Sequence, residues 1–530
     1  VTHHQVLVEV GREAVSPGTT DGHIPVRSGK DGVVTTLEQA DGTPRFIKPI
    51  LTYWVVMGSY KLFGISVFSS RLFFWLAGAL LVTVTFFMAK SLTGNHKLAM
   101  IAGFITAANP LVLMSAGRSI PDILLVLFLT VSAWSFLKIM TTDKPAKKHY
   151  WFAYLGAALA FETKGLPAAA FAGASMLFLV LNPWKRKKIK QILEPFSITT
   201  AVFIALSWFV IMYVEHGTEY LSSFYTDQVG DRVSSKIGQA VTNLFLGILN
   251  LIAFLIPWVL IAFSRPRKLK LWYKNADSGT KAIAGFVMLW VVLIIAMSGA
   301  VFKFYDRYLL PVIPVVSLLF AFVFVHTETK GKKTAFRVFF SLNIFVITIS
   351  MLYAIFILPD TILIPGIITA LIFLLVWLSG RLKKLPEEIL IANAVLLLFF
   401  NIFILLHPLL MPNPGEQLVK NLNQAGAGAA EKIYVYGNIR TASNIRIQSH
   451  NKLNVVSMDT VYALPKGTNH FLVFNQKEKS RLNLSDYKIM EGSEEWKRVP
   501  VEAFPAFLQK PVNKLKENGT KYFIAKPVKQ

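Results

Sequence analysis

Residues 121–140 read PDILLVLFLTVSAWSFLKIM, an apolar run that is long enough to cross a membrane as a helix. Only helices and closed barrels cross the hydrocarbon core, because lipid offers the backbone no hydrogen-bond partner. The chain contains a dozen such runs and is therefore predicted to be a polytopic α-helical membrane protein. The predicted spans are 70–90, 98–116, 121–140, 150–163, 165–182, 196–214, 241–263, 282–302, 307–325, 335–357, 361–379 and 387–409.

Along the chain, loops that are rich in Lys and Arg alternate with loops that contain few of these residues. The basic loops are 90–97, 138–149, 184–191, 264–281, 327–338 and 381–386. Because basic loops stay in the cytoplasm, the other ends of the helices are predicted to lie outside, with both terminal regions. The chain then divides into an outer loop with an interfacial helix (1–69), a transmembrane domain (70–411) and an extracytoplasmic α/β domain (412–530).

Composition narrows the class of protein. Hydrophobic residues make up 54% of the 530 residues, and the net charge is +25. The charge lies mostly in short loops beside apolar runs, as at 185–190, which favours contact with anionic lipid over nucleic acid. The absence of cysteine excludes disulfides, thiolate catalysis and cysteine-ligated metals. The chain begins with Val1, and we expect that a first membrane helix is missing before it.

The region after residue 412 changes character, since its apolar runs are short and rich in β-branched and aromatic residues. The runs at 432–436, 453–456, 470–474 and 521–525 predict strands, and the polar stretch 416–424 fits a helix. This mixture predicts a small soluble α/β domain.

Ionisable residues collect at the predicted outer ends of the spans, whereas the middles of the spans are nearly free of charge. The five clusters are Arg45–Pro49, Arg118–Asp122, Glu162–Gly165, Glu215–His216 and Lys303–Tyr308. Taken singly, cations at span ends also serve as snorkelling anchors, and an acid in a first turn, as predicted for Asp122 after Pro121, also serves as a cap. Together, an enclosed carboxylate and several cations suit an anionic substrate whose leaving group is a phosphate.

In these same residues the chain resembles the GT-C superfamily of glycosyltransferases that use polyprenyl-phosphate sugars. Within it, the chain is most similar to the bacterial aminoarabinose transferases of lipid A and the protein O-mannosyltransferase-like enzymes. The matching elements, in chain order, are RFIKPILTYW at 45–54, Arg118-x-x-x-Asp122, TKGLP at 163–167, Glu215-His216 and RYLLP at 307–311.

The resemblance implies a chain of about thirteen helices that ends in a periplasmic α/β domain. It also implies that Lys48 and Lys164 approach the donor phosphate and that Asp122 is an active-site acid. The other substrate-binding residues that it implies are Tyr53, Arg118, His216, Arg307 and Tyr308.

The start of the chain departs from the family, which carries an Asp-Glu pair in the first outer loop with the Asp as general base. On the register set by VEVGRE at 8–13, His3 and His4 occupy the two positions. Either a His acts as the base, or a nearby acid takes the role, or the enzyme is impaired. The nearby acids are Glu9, Glu13, Asp21 and Asp31. The His pair is also a candidate for a divalent metal site, although two ligands without a third are weak support, and no other cofactor is indicated.

The sequence therefore predicts a multi-pass protein of the bacterial inner membrane that transfers a sugar from a polyprenyl phosphate to a lipid, glycan or protein acceptor on the periplasmic side. One-step transfer would invert the anomeric centre. The candidate catalytic acids are Asp122, Glu9 and Glu13. A transporter or flippase of lipid-linked glycans is one alternative, but it should show polar residues along a transbilayer path. An inactive binding homologue is another, favoured by the lost acidic pair. Neither the sugar nor the acceptor is indicated by any motif.

Overall fold

The computed structural model of the chain describes residues 49–226, 237–256, 258–263, 266–302, 304–326, 414–437, 439–459, 463–495 and 511–528, with three short strands before residue 49 and a few isolated residues. The strands β1 (Val6–Val8), β2 (Ile24–Arg27) and β3 (Thr36–Leu37) form an antiparallel sheet in that order. The rest of the described chain forms a helical part and a C-terminal α/β domain.

The helical part is built from thirteen described α-helices and two 3-10 segments. The helices are α1 Leu51–Phe63, α2 Val67–Thr93, α3 His96–Ala107, α4 Pro110–Ala116, α5 Pro121–Thr141, α6 Lys147–Lys164, α7 Leu166–Leu181, α8 Pro195–Tyr225, α9 Ile237–Phe254, α10 Trp258–Phe263, α11 Pro266–Asn275, α12 Ser278–Ala300 and α13 Ile313–His326. The 3-10 segments are Ile189–Gln191 and Asp306–Val312.

The first nine predicted spans each coincide with one of these helices or with two successive ones. By length and composition, six described segments can cross a membrane, namely α2, α5, α8, α9, α12 and the run Asp306–His326 that joins the second 3-10 segment to α13. The number is seven if the pair α3 and α4, bent by 60°, counts as one span. The predicted spans 335–357, 361–379 and 387–409 lie outside the described residues.

The bend between α3 and α4 follows from Asn109 and Pro110. Pro110 begins α4, and the Asn109 side chain caps it by accepting a hydrogen bond from the Leu111 amide at 3.0 Å. The Asn109 amide also donates to the Phe254 carbonyl at 2.9 Å, where α9 ends. One side chain thus satisfies backbone groups at two helix interruptions, as a non-aqueous environment requires.

Helix α8 folds back on itself at Gly217, whose φ of 62° and ψ of −146° are non-helical. The rings of Trp208 and Tyr220 lie 5.6 Å apart, and those of Phe209 and Phe224 lie 5.2 Å apart. A straight helix would separate such pairs by about 18 Å and about 22 Å along its axis. The predicted span 196–214 therefore continues into a second segment that returns along it.

Hydrogen bonds between loops and helix ends distinguish the two ends of the helical bundle. At one end, the Lys138 ammonium donates to the Ser91 carbonyl at 3.2 Å, and that of Lys187 donates to the Thr142 carbonyl at 2.7 Å. At the other end, the Ser119 hydroxyl donates to the Ser70 carbonyl at 2.7 Å. The basic loops 90–97, 138–149 and 184–191 thus meet at one end of the bundle, and the start of α5 with Asp122 lies at the other end.

The C-terminal domain is a five-stranded mixed sheet with helices. Its elements are α14 Pro414–Gln424, β4 Lys432–Tyr436, α15 Ile439–Gln448, β5 Asn454–Asp459, β6 His470–Asn475, α16 Gln476–Lys479, β7 Tyr487–Glu495, α17 Pro511–Glu517 and β8 Thr520–Pro527. The strand order is β5-β4-β6-β8-β7, with β4 parallel to both of its neighbours and β8 antiparallel to both of its neighbours. The His450 imidazole contacts the Ile65 carbonyl at 3.1 Å, which places the domain at the end of the bundle opposite the basic loops.

Candidate active site

Asp122 is the centre of the candidate site. Pro121 begins α5, so Asp122 falls in the first turn, where the helix dipole favours a negative charge. The residue is only 3% exposed. A carboxylate at that depth requires cationic or hydrogen-bonding partners, because burial removes its hydration.

Lys164 supplies the nearest partner, with its Nζ atom 2.5 Å from Asp122 Oδ1. Lys164 is the last residue of α6, where the helix dipole favours a cation. Gly165 ends the helix there with φ 74° and ψ −129°, a conformation that side-chain-bearing residues rarely adopt. Helices α5 and α6 approach closely at Gly156, where an added Cβ would lie 2.9 Å from the Phe128 carbonyl, and this contact brings the acid and the lysine together.

Arg307 approaches the other oxygen of the same carboxylate, with Nε 3.6 Å from Asp122 Oδ2. It lies in the 3-10 segment before α13, and its guanidinium stands 4.6 Å from the centre of the Tyr305 ring. The Lys164 ammonium stands 4.9 Å from the centre of the Tyr308 ring. Aromatic faces thus stabilise both cations while leaving donor groups for a ligand.

Arg118 adds a third cation beside this pair. It lies between α4 and α5, is partly buried, and interacts electrostatically with Arg71 and Asp122. Its pKa is lowered by burial first and by the charge of Arg71 next, while Asp122 opposes both effects. A guanidinium keeps its charge under such conditions. The described part of the site therefore carries an excess of positive charge and suits an anion.

The structure brings four of the predicted residues into one cluster, namely Asp122, Lys164, Arg307 and Tyr308, with Arg118 next to Asp122. Tyr53 is buried on α1, which packs against α6. His216 lies just before the fold-back of α8, with its Nε2 atom 3.8 Å from a Glu215 oxygen.

Three predicted site residues, Lys48, Glu9 and Glu13, lie outside the residues whose side chains the structure describes, as do His3 and His4. Pro49, which follows Lys48, packs beside Gly165. Within the described part of the chain, no group of three or more His, Asp or Glu side chains is arranged to hold a metal ion.

Two residues near the site were not among the individual substrate-binding residues that the sequence predicted, although Tyr305 lies within the predicted cluster Lys303–Tyr308. Tyr305 stacks against Arg307, and Asn250 donates to Asp306 at 2.7 Å and so fixes the start of the 3-10 segment that carries Arg307. The aromatic residues around Arg307 in the string 304–308 were a usable signal for Tyr305. No sequence signal links Asn250 to a residue 56 positions away.

Comparisons with known proteins found a matching family model, curated relatives and solved structures of similar fold. Residues 47–213 match the family described as dolichyl-phosphate-mannose-protein mannosyltransferase. An uncharacterized protein of Aquifex aeolicus is 28% identical over 190 residues, which cover 36% of this chain and 37% of that protein. The undecaprenyl phosphate-alpha-4-amino-4-deoxy-L-arabinose arabinosyl transferase of Yersinia pestis is 26% identical over 278 residues, 52% of this chain and 49% of that enzyme. The match thus spans about a third to a half of the length of these relatives.

Two solved structures share the fold. The crystal structure of ArnT from Cupriavidus metallidurans bound to undecaprenyl phosphate has a TM-score of 0.67 at 15% identity, covering 93% of this chain and 90% of that one. The apo structure of the same protein has a TM-score of 0.66, with 93% and 89% covered. The resemblance that the sequence motifs predicted is confirmed by the family match, the curated relatives and the shared fold.

Proposed function

We propose, from this confirmed resemblance to GT-C glycosyltransferases, that the chain is a membrane glycosyltransferase. It takes a sugar from a polyprenyl-phosphate donor and passes it to a lipid, glycan or protein acceptor. The undecaprenyl phosphate bound to ArnT from Cupriavidus metallidurans supports a donor of this class. The arabinosyl transferase activity of the Yersinia pestis relative supports transfer rather than transport.

The observation that carries the proposal is the position of Asp122 between two cations. Lys164 lies 2.5 Å from one carboxylate oxygen, and Arg307 lies 3.6 Å from the other. Since both oxygens face cations, Asp122 serves to hold the ammonium and the guanidinium in place. A donor phosphate then meets cations that are already oriented and need no reorganisation during the reaction.

The reaction follows from the chemistry of a sugar phosphate. The acceptor oxygen bonds to the anomeric carbon while the bond from that carbon to the phosphate oxygen breaks, and the lipid phosphate leaves with the electron pair. The acceptor proton passes to a general base, for which Glu9 and Glu13 remain the sequence candidates. Lys164, Arg307 and Arg118 stabilise the second negative charge that develops on the departing phosphate. The acceptor attacks opposite the leaving group, so the anomeric centre is inverted.

The proposal places the site on the periplasmic side of the bacterial inner membrane. Its support is the separation of the basic loops at one end of the bundle from Asp122 and the C-terminal domain at the other. The cysteine-free chain permits a direct test with single-cysteine variants. An impermeant maleimide should label an exposed Ser485→Cys variant in intact spheroplasts, and an exposed Asp143→Cys variant only after permeabilisation. The reverse pattern would overturn the orientation.

Activity is tested with the full chain in nanodiscs and radiolabelled undecaprenyl-phosphate sugars, by the release of undecaprenyl phosphate and the labelling of acceptors. Lys48→Ala and Lys164→Ala should each lower turnover at least 100-fold, roughly the effect of losing one charge-stabilising donor. Lys138→Ala is the matched control, since this lysine also lies in the last turn of a helix but bonds to the Ser91 carbonyl at the basic end. Undiminished turnover in the Lys48 and Lys164 variants would end the proposed phosphate role. Movement of the intact donor across the bilayer without cleavage would instead favour the transporter.

A further inference from the structure

We propose that a polar cleft in the C-terminal domain binds a saccharide portion of the acceptor. The assignment to the acceptor rests on the proposed transferase function, whereas the binding of a saccharide does not. The cleft has a volume of about 410 Å³ and lies between α14, β7, α17 and β8. This volume falls within the usual range for small-molecule sites, about 300–1,000 Å³.

The cleft is built around a fixed chain of amide groups. The Gln417 amide donates to Asn421 Oδ1 at 2.9 Å, and the Asn421 amide donates to the Gly492 carbonyl at 2.6 Å. Gly492 lies at a break in the register between β7 and β8, between Glu491 and Ser493. β-bulges of this kind re-aim side chains beside binding sites. The lining groups are thus oriented before any ligand arrives, which lowers the entropy lost on binding.

Ser493 supplies a hydroxyl whose hydrogen-bonding capacity the described residues leave unused. Its Oγ atom is buried in the wall of the cleft and has no hydrogen-bond partner among the described residues. A buried hydroxyl without a partner destabilises the fold, because it has lost its bonds to water. Because this oxygen is closed to water, a rotation of the Ser493 side chain towards the cleft would let a ligand hydroxyl restore the missing bond.

The charged side chains that line the cleft balance one another, which favours a neutral or zwitterionic polyol as the ligand. Lys516 and Lys521 are balanced by Glu491 and Glu494, and Lys516 pairs with Glu494 at 3.6 Å. A site for phosphate would carry a clear excess of cations, and a metal site would carry a clear excess of carboxylates. Amides, a hydroxyl and paired charges offer both donors and acceptors, which is the complement of a sugar with several hydroxyls.

A peptide strand fits the cleft less well. β7 is an edge strand, so a peptide would have to pair along it. The bulge at Gly492 interrupts the row of backbone groups that such pairing needs.

The domain that contains the cleft lies at the end of the bundle that carries Asp122. His450, in the same domain, contacts the Ile65 carbonyl at that face. Helix α14 begins at Pro414, five residues after the predicted span 387–409, and five residues reach at most about 18 Å. The domain that carries the cleft therefore lies on the side of the bundle from which an acceptor bearing a saccharide would approach Asp122.

The test measures saccharide binding to the full chain in nanodiscs by isothermal titration. The probes are chitobiose, maltotriose and a deacylated lipopolysaccharide core oligosaccharide. At least one probe should bind saturably, and Gln417→Ala or Ser493→Ala should weaken its binding at least tenfold. Ser493→Ala should not lower the melting temperature, since the hydroxyl it removes has no partner, so lost binding will not reflect lost folding. Exposed residues on the same elements but outside the cleft supply matched controls, Gln424→Ala on α14 and Lys488→Ala on β7, and these should bind as the unaltered chain does.

The outcomes separate this inference from the proposed function. No saturable binding of any probe, or equal binding by cleft and control variants, would overturn the saccharide site even if donor cleavage is seen. Binding at the cleft without any donor cleavage would overturn the acceptor role and the proposed function while the saccharide site stands. If saccharide binding at the cleft and donor cleavage are both observed, Gln417→Ala should raise the KM for the acceptor and leave the KM for the donor unaltered.

Discussion

The pairing of Lys164 with buried Asp122 gives the sharpest test of the site. Lys164→Met removes the ammonium 2.5 Å from one carboxylate oxygen and leaves Arg307 3.6 Å from the other. At an effective dielectric constant of about 20, these distances correspond to gross attractions of about 7 and about 5 kcal/mol. Because Asp122 is 3% exposed, water cannot replace the lost partner. Breaking a buried pair destabilises proteins by about 3–5 kcal/mol, and we expect about 3 kcal/mol here because Arg307 remains.

The assay is equilibrium unfolding in mixed micelles titrated with SDS, with turnover measured in parallel. The double variant Asp122→Asn with Lys164→Met removes both charges, so its loss should be about 2 kcal/mol smaller than the sum of the single losses. Turnover should stay at least 100-fold reduced in all three variants, since none retains both the lysine and the acid that orients it. Additive losses, or a loss below about 1 kcal/mol for Lys164→Met, would refute the reasoning about this buried pair.

Three further predictions concern backbone, packing and protonation. Gly165→Ala should destabilise the chain by at least about 1 kcal/mol, because φ is 74° there, and should lower turnover because the end of α6 shifts. Unchanged stability in the SDS titration together with unchanged turnover would contradict this. Asn109→Leu should lower stability by about 1–2 kcal/mol through the lost bond to the Phe254 carbonyl and the lost cap on the Leu111 amide, with turnover retained, and an SDS titration equal to that of the unaltered chain would exclude the role given to these two bonds. Burial lowers the pKa of His470 from its ordinary value of 6.5, so the unfolded chain binds its proton more tightly and stability should fall as pH drops below about 6.5. Thermal unfolding at pH 7 and pH 5 checks this, and His470→Gln should show a smaller difference between the two.

Several elements were predictable because a local pattern determines them. The apolar runs determine the helices, since lipid allows a spanning chain few alternatives. Pro121 predicted the first turn that holds Asp122, and the helix does begin there. The strands β4 and β6 were also predicted, because buried central strands are rich in β-branched and aromatic residues.

Other elements were missed because their causes are not local. β7 (Tyr487–Glu495) is an edge strand with one exposed side, so its sequence is polar and gives no strand signal. Helix α11 (Pro266–Asn275) lies in a stretch that was interpreted as a basic loop, since its lysines and arginines obscure its apolar face. The clustering of Asp122 with Lys164 was predicted, but their direct ion pair was not, since it depends on the packing of α5 against α6 over a separation of 42 residues.

The balance of charge at the site explains why it would favour reaction over mere binding. Among the described residues, the cluster that Asp122 forms with Lys164, Arg307 and Arg118 carries a net charge of two positive units. A polyprenyl-phosphate sugar carries one negative charge on its diester, whereas the lipid phosphate that departs approaches two. The cations are therefore matched to the charge present late in the reaction, and only interactions that strengthen towards the transition state accelerate a reaction. Asp122 contributes by holding the cations in place, so Asp122→Asn should lower kcat more than it raises the KM for the donor. A change confined to the KM for the donor would show that the cluster binds the ground state and the transition state equally.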